Sequence, residues 1–166
     1  MIIVAQIIGL IAFFLFVYSV QVKDKKKLLA LQLIANFLYG IQYVLLLAPT
    51  AGYMNFISVA RCFVFYWYDD KKKKAPIWVL IAFCLLALVV VALSMDSFFT
   101  LIPIGITIAY AISSWQNNMK IVRVTFTICA IGWIFYNLSV DAYTALIGNV
   151  FELTSGIISL IRYNRK

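Results

Sequence analysis

The stretch "APTAGYMN" at residues 48–55 occurs a second time, in altered form, as "AYTALIGN" at residues 142–149. Both copies keep Ala-x-Thr-Ala and end on an asparagine at the same distance, Asn55 in the first and Asn149 in the second. The same shift of 94 residues aligns further positions without a gap: Lys26 with Lys120, Ile34 with Ile128, and Tyr39 with Trp133. The chain is therefore predicted to contain two copies of one structural unit.

The composition predicts an integral membrane protein. Of 166 residues, 65% are hydrophobic and only 12% are charged, and the mean hydropathy is +1.00, above the range of soluble globular domains. The stretches from Met1 to Lys23 and from Lys74 to Asp96 contain no charge between their ends. Each is long enough for a helix that crosses about 30 Å of hydrocarbon. We expect a single membrane-embedded domain over residues 1–166.

Charges and turn residues divide the chain into seven predicted helical segments. Their approximate bounds are 2–22, 28–47, 52–68, 76–94, 98–115, 121–138 and 142–162. Basic residues cluster in alternate loops and at the C-terminal end: Lys23, Lys25, Lys26, Lys27, Lys71 to Lys74, Lys120, Arg123, Arg162, Arg165 and Lys166. Because basic residues favour the cytoplasmic side, this pattern predicts seven spans, with the N-terminus outside and the C-terminus in the cytoplasm.

The repeat and the span count together predict an all-α architecture of two three-helix bundles. The first bundle covers residues 1–68, the second covers 98–163, and the segment at 76–94 links them. One membrane-crossing linker gives both bundles the same orientation, so they are expected to be parallel and related by an axis along the membrane normal.

This 3+1+3 arrangement resembles the SWEET and PQ-loop transporters, which carry sugars or other small solutes. The runs "LIPIGITIAYAISSWQ", "GWIFYN" and "TALIGNVFELTSGIISLIRY" are more closely similar to the YgjV-type family of small bacterial inner-membrane proteins. The SWEET likeness implies a pocket between the bundles with an Asn on the third helix of each bundle and often a Trp on the second. Those positions are Asn55, Asn149, Tyr39 and Trp133. The chain lacks the Pro-Gln pair of that family, which puts its proline-hinged motion in doubt.

Two charges lie within the predicted spans, Arg61 on the third segment and Glu152 on the seventh. A charge at the centre of a membrane helix costs on the order of 2.5–3.5 kcal/mol, and such residues usually pair. We therefore expect an Arg61 to Glu152 pair between the bundles. The alternative is that Arg61 extends to the headgroups while Glu152 is protonated or hydrogen-bonded. Asn55 and Asn149 have an alternative as well, since asparagine also joins helices through interhelical hydrogen bonds.

The sequence argues against several classes of function. Histidine is absent, and the three cysteines show no paired spacing, so no metal site, cofactor site or catalytic constellation is predicted and an enzyme is not expected. The net charge of +8 arises beside span ends, which favours membrane topology and anionic lipid at the lysine-rich loops over nucleic acid.

Two functions remain at this stage. The first is a carrier for a small uncharged or zwitterionic solute, facilitated or ion-coupled. The second is a non-transporting scaffold or lipid-binding protein that retains the fold. A ligand-sized cavity between the bundles separates the two hypotheses, because the carrier requires one. The sequence specifies no substrate and no oligomeric state.

Overall fold

The computed structural model describes residues 2–45, 49–94, 101–116, 118–139 and 143–164, and these form seven α-helices without a strand. The helices are α1 (Ile2–Ser19), α2 (Lys25–Leu45), α3 (Pro49–Asp70), α4 (Ile77–Ser94), α5 (Leu101–Trp115), α6 (Met119–Ser139) and α7 (Tyr143–Asn164). Each corresponds to one predicted segment, which confirms the all-α class. The predicted segment ends at 47, 98 and 142 and the terminal Arg165 and Lys166 lie outside the described residues.

Capping residues explain where two helices begin. The side chain of Asp24 accepts a hydrogen bond from the Lys26 amide (2.9 Å), and that of Asn118 accepts one from the Lys120 amide (2.9 Å). Both are N-cap interactions, which satisfy amides that have no partner within the helix. Asp24 and Asn118 are separated by the same 94 residues as the two asparagines, so the repeat extends to the helix caps. Sequence reasoning placed both starts slightly too late.

Proline also acts at helix starts and not as a kink. The expected turn over "LAPTAG" was drawn too long, since Pro49 is the first residue of α3. A proline fits that position because its missing amide would have no partner there and its fixed φ suits a helix. Pro103 lies in the first turn of α5, where an N–H is likewise not required.

The packing of the helices follows the repeat. α2 packs against α1 and α3, and α6 packs in the same way against α5 and α7. We call α1–α3 and α5–α7 the two triplets. They meet where α3 packs on α5 and where α1 packs on α7, while α4 packs on α3 and α5. The two contacts between the triplets are equivalent in the repeat, because α3 and α5 correspond to α7 and α1.

The exterior of the described residues is rich in large apolar side chains, while the interior contains polar side chains beside its apolar core. Large apolar side chains are exposed on the outer surface, such as Phe14 (62%), Phe135 (62%) and Phe151 (60%). Buried positions include many polar side chains: Gln32, Asn36, Arg61, Ser113, Ser114, Arg123, Asn149, Glu152, Ser155 and Ser159. An apolar exterior of this extent is typical of surfaces that contact a membrane or another protein.

Length and hydropathy alone single out two of the described helices as able to span a membrane, at Lys25–Leu45 and Met119–Tyr136. Ile3–Ser19, Ile77–Val90 and Leu101–Trp115 are apolar but shorter. The two that pass are the middle helices of the two triplets, which occupy equivalent positions in the repeat.

Close packing of α6 on α7 requires a glycine. A Cβ added at Gly156 would lie 2.5 Å from Thr127 Oγ1 and 3.2 Å from Phe126 Cδ1. The Thr127 hydroxyl is itself fixed, because it donates to the Arg123 carbonyl at 2.9 Å. A Cβ added at Gly105 meets nothing within 4 Å, so this second glycine is a matched control.

We expect Gly156→Ala to lower the midpoint of thermal unfolding in detergent, because overpacking costs about 1–3 kcal/mol. Gly105→Ala should leave the midpoint unchanged or raise it slightly, since alanine is the better helix former by about 1 kcal/mol. Differential scanning fluorimetry of the two variants beside the parent provides the measurement. Equal midpoints for both variants would contradict the close α6–α7 contact.

Candidate functional site

Arg61 is the central residue of the contact between α3 and α5. Its side chain is buried, and Nη1 donates to the Tyr110 carbonyl (2.8 Å) and to Ser114 Oγ (2.8 Å). The guanidinium also lies 5.6 Å from the centroid of the Tyr110 ring, within the range of a cation–π interaction. Its Nε atom is buried without a hydrogen-bond partner. Arg61 therefore joins the two triplets and keeps one donor available.

Glu152 lies on α7, where its Oε2 accepts a hydrogen bond from Asn149 Nδ2 (3.1 Å) one turn away. Both side chains are buried. The ion pairs of the described residues are Lys25 with Asp69 and Lys26 with Asp70. The expected contact of Arg61 with Glu152 is not among them, because α3 packs against α5 whereas α7 packs against α1.

Tyr110 connects the two buried charges. Its side chain interacts electrostatically with Glu152 and with Arg61, and Glu152 also acts on Tyr39 and Tyr43 of α2. In a region of low dielectric such electrostatic interactions are stronger than in water. Tyr110 thus interacts with both side chains.

Aromatic side chains complete the centre. The ring of Phe16 on α1 makes edge contacts with Tyr39 and with Tyr110, both at 6.4 Å between centroids. Trp133 on α6 packs against the buried cluster that contains Tyr110 and contacts Tyr136 at 5.7 Å. The structure thus brings Tyr39 and Tyr110 into contact with Phe16, and Trp133 into contact with the cluster that contains Tyr110. Asn149 and Glu152 are hydrogen-bonded to each other. Their role in binding stays a prediction.

Asn55 is placed less centrally. It is half-buried on α3, six residues before Arg61, or about 9 Å along the helix axis. Its membership of the same site stays a prediction.

A second polar contact joins the triplets on the opposite side, between α7 and α1. Gln21 Nε2 donates to the Ser155 carbonyl (2.8 Å) and to Ser155 Oγ (2.7 Å), while Ser155 Oγ donates to the Val17 carbonyl (3.4 Å). Ser159 Oγ donates to the Val20 carbonyl at 2.8 Å. We call this the α1–α7 seam, and the Arg61 contact with Tyr110 and Ser114 the α3–α5 seam.

The two seams follow the repeat. Ser155 is the repeat equivalent of Arg61, 94 residues later. Arg61 contacts the Tyr110 carbonyl and the side chain of Ser114, which is four residues after Tyr110. Ser155 likewise contacts the Val17 carbonyl and the side chain of Gln21, which is four residues after Val17. Sequence reasoning missed Ser114, Gln21 and Ser159.

Two surface grooves are described, and neither contains these residues. One lies between α3 and α4, and the other is lined by side chains of α1, α2 and the loop between them, including Tyr18, Val22 and Ile34. The predicted cavity between the bundles is not one of the two.

A double-mutant cycle can test the hydrogen bond of the α3–α5 seam. Arg61→Met and Ser114→Ala each remove one partner of a charge-assisted hydrogen bond, so their effects on unfolding free energy should be coupled by about 1–3 kcal/mol. Ser159→Ala is the matched control, because Ser159 is equally buried but belongs to the α1–α7 seam. Thermal or denaturant unfolding in detergent gives the four free energies. Coupling of Arg61 to Ser159 as large as to Ser114 would contradict the assignment.

Comparison with known proteins agrees with the apolar exterior. The family model Imp-YgjV, described as bacterial inner membrane protein, matches residues 3–166. No curated protein and no solved structure matches the chain. Since the match covers nearly all of the sequence, the chain belongs to the YgjV family of bacterial inner membrane proteins.

Proposed function

We propose that all seven helices cross the inner membrane, with the N-terminus outside and the C-terminus in the cytoplasm. The lysine clusters at Lys25–Lys27 and Lys71–Lys74 support this orientation. The exchange symmetry of the helix contacts supports two parallel triplets, residues 1–68 and 98–163, related by an axis along the membrane normal. α4 is then the linker that restores the orientation of the second triplet.

We infer further that the protein is a carrier for a small polar solute. The observation that supports this most is the group of buried polar side chains between the triplets. Membrane helices rarely bury ionisable residues unless these serve a pathway or a ligand. Here Arg61 of the first triplet lies beside the Tyr110 ring, and Glu152 of the second triplet interacts electrostatically with the same tyrosine. Arg61 also has an unused donor, Nε.

The chemistry of this centre favours a zwitterionic or uncharged solute. A ligand ammonium group matches the Glu152 carboxylate, and a ligand carboxylate or hydroxyl matches the free Arg61 donor. Tyr39 and Trp133 supply aromatic faces that orient the rest of the molecule. A solute with both charges adds no net charge to the membrane interior, so its entry leaves the charge balance of the site unchanged.

Movement of the solute would require the two triplets to change their mutual packing. The two seams are short rows of hydrogen bonds between a few side chains and helix carbonyls, and such bonds exchange partners at low net cost. Glu152 is the buried carboxylate of the described spans and is our candidate to carry a proton if transport is ion-coupled.

A second candidate function is a lipid-binding or scaffold protein. The observation that favours it is that both described grooves open on the outer, lipid-facing surface and not between the triplets. The two functions differ in what stabilises the purified protein, since a carrier must bind a soluble ligand.

We expect a zwitterionic compound in a panel of amino acids, betaines, sugars and nucleosides to raise the thermal midpoint of the purified protein. Glu152→Gln should abolish this rise while keeping the unliganded midpoint, because it removes the charge and conserves the shape. Thr154→Val is the matched control, since Thr154 is exposed on the same helix and bonds only within it. If no soluble compound stabilises the parent, or if Glu152→Gln responds as the parent does, the carrier proposal fails.

The proposed topology predicts an outcome for cysteine labelling in intact cells. In a background with Cys62, Cys84 and Cys129 replaced by alanine, Asp141→Cys should react with a membrane-impermeant maleimide. Lys73→Cys should react only after the inner membrane is permeabilised, because three helices separate the two positions. Labelling of both from the same side would contradict the number of crossings, and the reverse pattern would contradict the orientation.

A further inference from the structure

The groove between α3 and α4 has a volume of about 430 Å³ and lies at the ends of the two helices nearest the turn that joins them. Its walls are apolar, with Phe63, Trp67, Trp78, Ala82 and Phe83 among them. Phe63, Trp67 and Trp78 are exposed by 59%, 44% and 65%. Aromatic side chains of this kind belong at the level where hydrocarbon meets headgroups.

The adjoining turn consists of Lys71 to Lys74, and backbone hydrogen bonds fix its conformation. The Lys73 amide donates to the Tyr68 carbonyl (3.0 Å) and the Lys72 amide donates to the Asp69 carbonyl (3.0 Å). This pattern is a Schellman cap, in which the residue after the helix adopts a left-handed conformation and is usually glycine. Here that residue is Lys72, with φ of 53°. Residues with a side chain are disfavoured in this region, so a charged residue occupies the position against the backbone preference.

The positive charge of this turn is not neutralised by the neighbouring aspartates. Asp69 and Asp70 pair with Lys25 and Lys26 of α2. Lys71 lies over the Trp67 ring at 3.8 Å, which places its charge at the rim of the groove. Lys72 and Lys73 are both exposed. An apolar groove with tryptophan walls therefore opens directly beside a cluster of cations.

We propose that the α3–α4 groove is a binding site for an anionic phospholipid, with one acyl chain in the groove and the headgroup phosphate at Lys71, Lys72 and Lys73. The site is independent of the proposed carrier function, because it lies on the outer face and uses none of the residues around Glu152. It requires only the location in the inner membrane that the family has.

Charge complementarity favours a phospholipid over a second copy of the chain. A symmetric dimer through this groove would bring two Lys71–Lys74 turns together, and like charges at short range repel. An anionic headgroup instead gains about one kcal/mol per nearby lysine, or about fivefold in affinity for each. The tryptophans then cover the upper part of the acyl chain.

The test is quenching of tryptophan fluorescence by brominated lipids in reconstituted vesicles of phosphatidylcholine. Brominated phosphatidylglycerol and brominated phosphatidylcholine with identical chains are compared, and the variant Trp67→Phe with Trp78→Phe removes the reporters at the groove. We expect phosphatidylglycerol to quench Trp67 and Trp78 at lower mole fraction. The double variant Lys72→Gln and Lys73→Gln should weaken the preference for phosphatidylglycerol by about 25-fold, because each lysine contributes about fivefold.

The control is Lys23→Gln with Lys27→Gln, which makes the same change of charge in the other lysine-rich loop and should leave the preference within about twofold if attraction is local. Ala82→Phe fills the groove and should reduce quenching by both lipids while the thermal midpoint is kept. An equal loss in the two lysine variants would overturn the site in favour of diffuse attraction. Unchanged quenching with Ala82→Phe, or concentration-dependent self-association that shields Trp67 and Trp78, would overturn the groove as the acyl-chain position.

Discussion

Arg61 imposes the strongest constraint on the helix arrangement, because a guanidinium removed from water must find acceptors within the protein. It finds them on α5, where the Tyr110 carbonyl and the Ser114 hydroxyl each accept from Nη1. A helix carbonyl can accept a second hydrogen bond while it keeps the one within its helix. The interaction fixes the rotation of α3 about its axis. Cys62 and Phe65 consequently enter the core, while Phe63 and Trp67 face outward.

The α1–α7 seam reaches the same result with neutral groups. Where α3 has Arg61, α7 has Ser155, and Gln21, in the turn directly after α1, supplies the reach that the serine lacks. A single charged residue on one side and a serine–glutamine pair on the other therefore hold equivalent helices together. Each hydrogen bond from the charged donor is roughly twice as strong as a neutral one, whereas the α1–α7 seam contains more hydrogen bonds between the described residues.

The sequence was sufficient for the helices, because these depend on local patterns. The 94-residue shift found Asn55 with Asn149, and the structure adds the caps Asp24 and Asn118 in the same register. The partner of Arg61 could not be found in the same way. Its main acceptor is a backbone carbonyl, which every residue has, and a search restricted to opposite charges selects Glu152 instead. The partner of Arg61 depends on which helix lies next to α3, and the neighbours of a helix follow from packing over the whole chain.

The tyrosines of the centre show the same limit. Twenty-three of the residues are Tyr or Phe, 10 and 13 respectively, so an aromatic residue on a helix carries little information by itself. Tyr110 becomes distinctive only because α5 lies against α3, which places its ring beside Arg61 and its hydroxyl within electrostatic range of Glu152.

α3 connects the interior of the molecule to its lipid-facing surface. Arg61 and Cys62 point inward, and within two turns Phe63 and Trp67 form one wall of the α3–α4 groove. A helix is stiff over this distance, so a rotation of α3 that loosens Arg61 from α5 must also move Trp67 relative to Trp78. A lipid that fills the groove resists that rotation by the contacts it would lose. Any coupling between the lipid surface and the polar centre therefore has a physical route through α3, which packs against α2, α4 and α5.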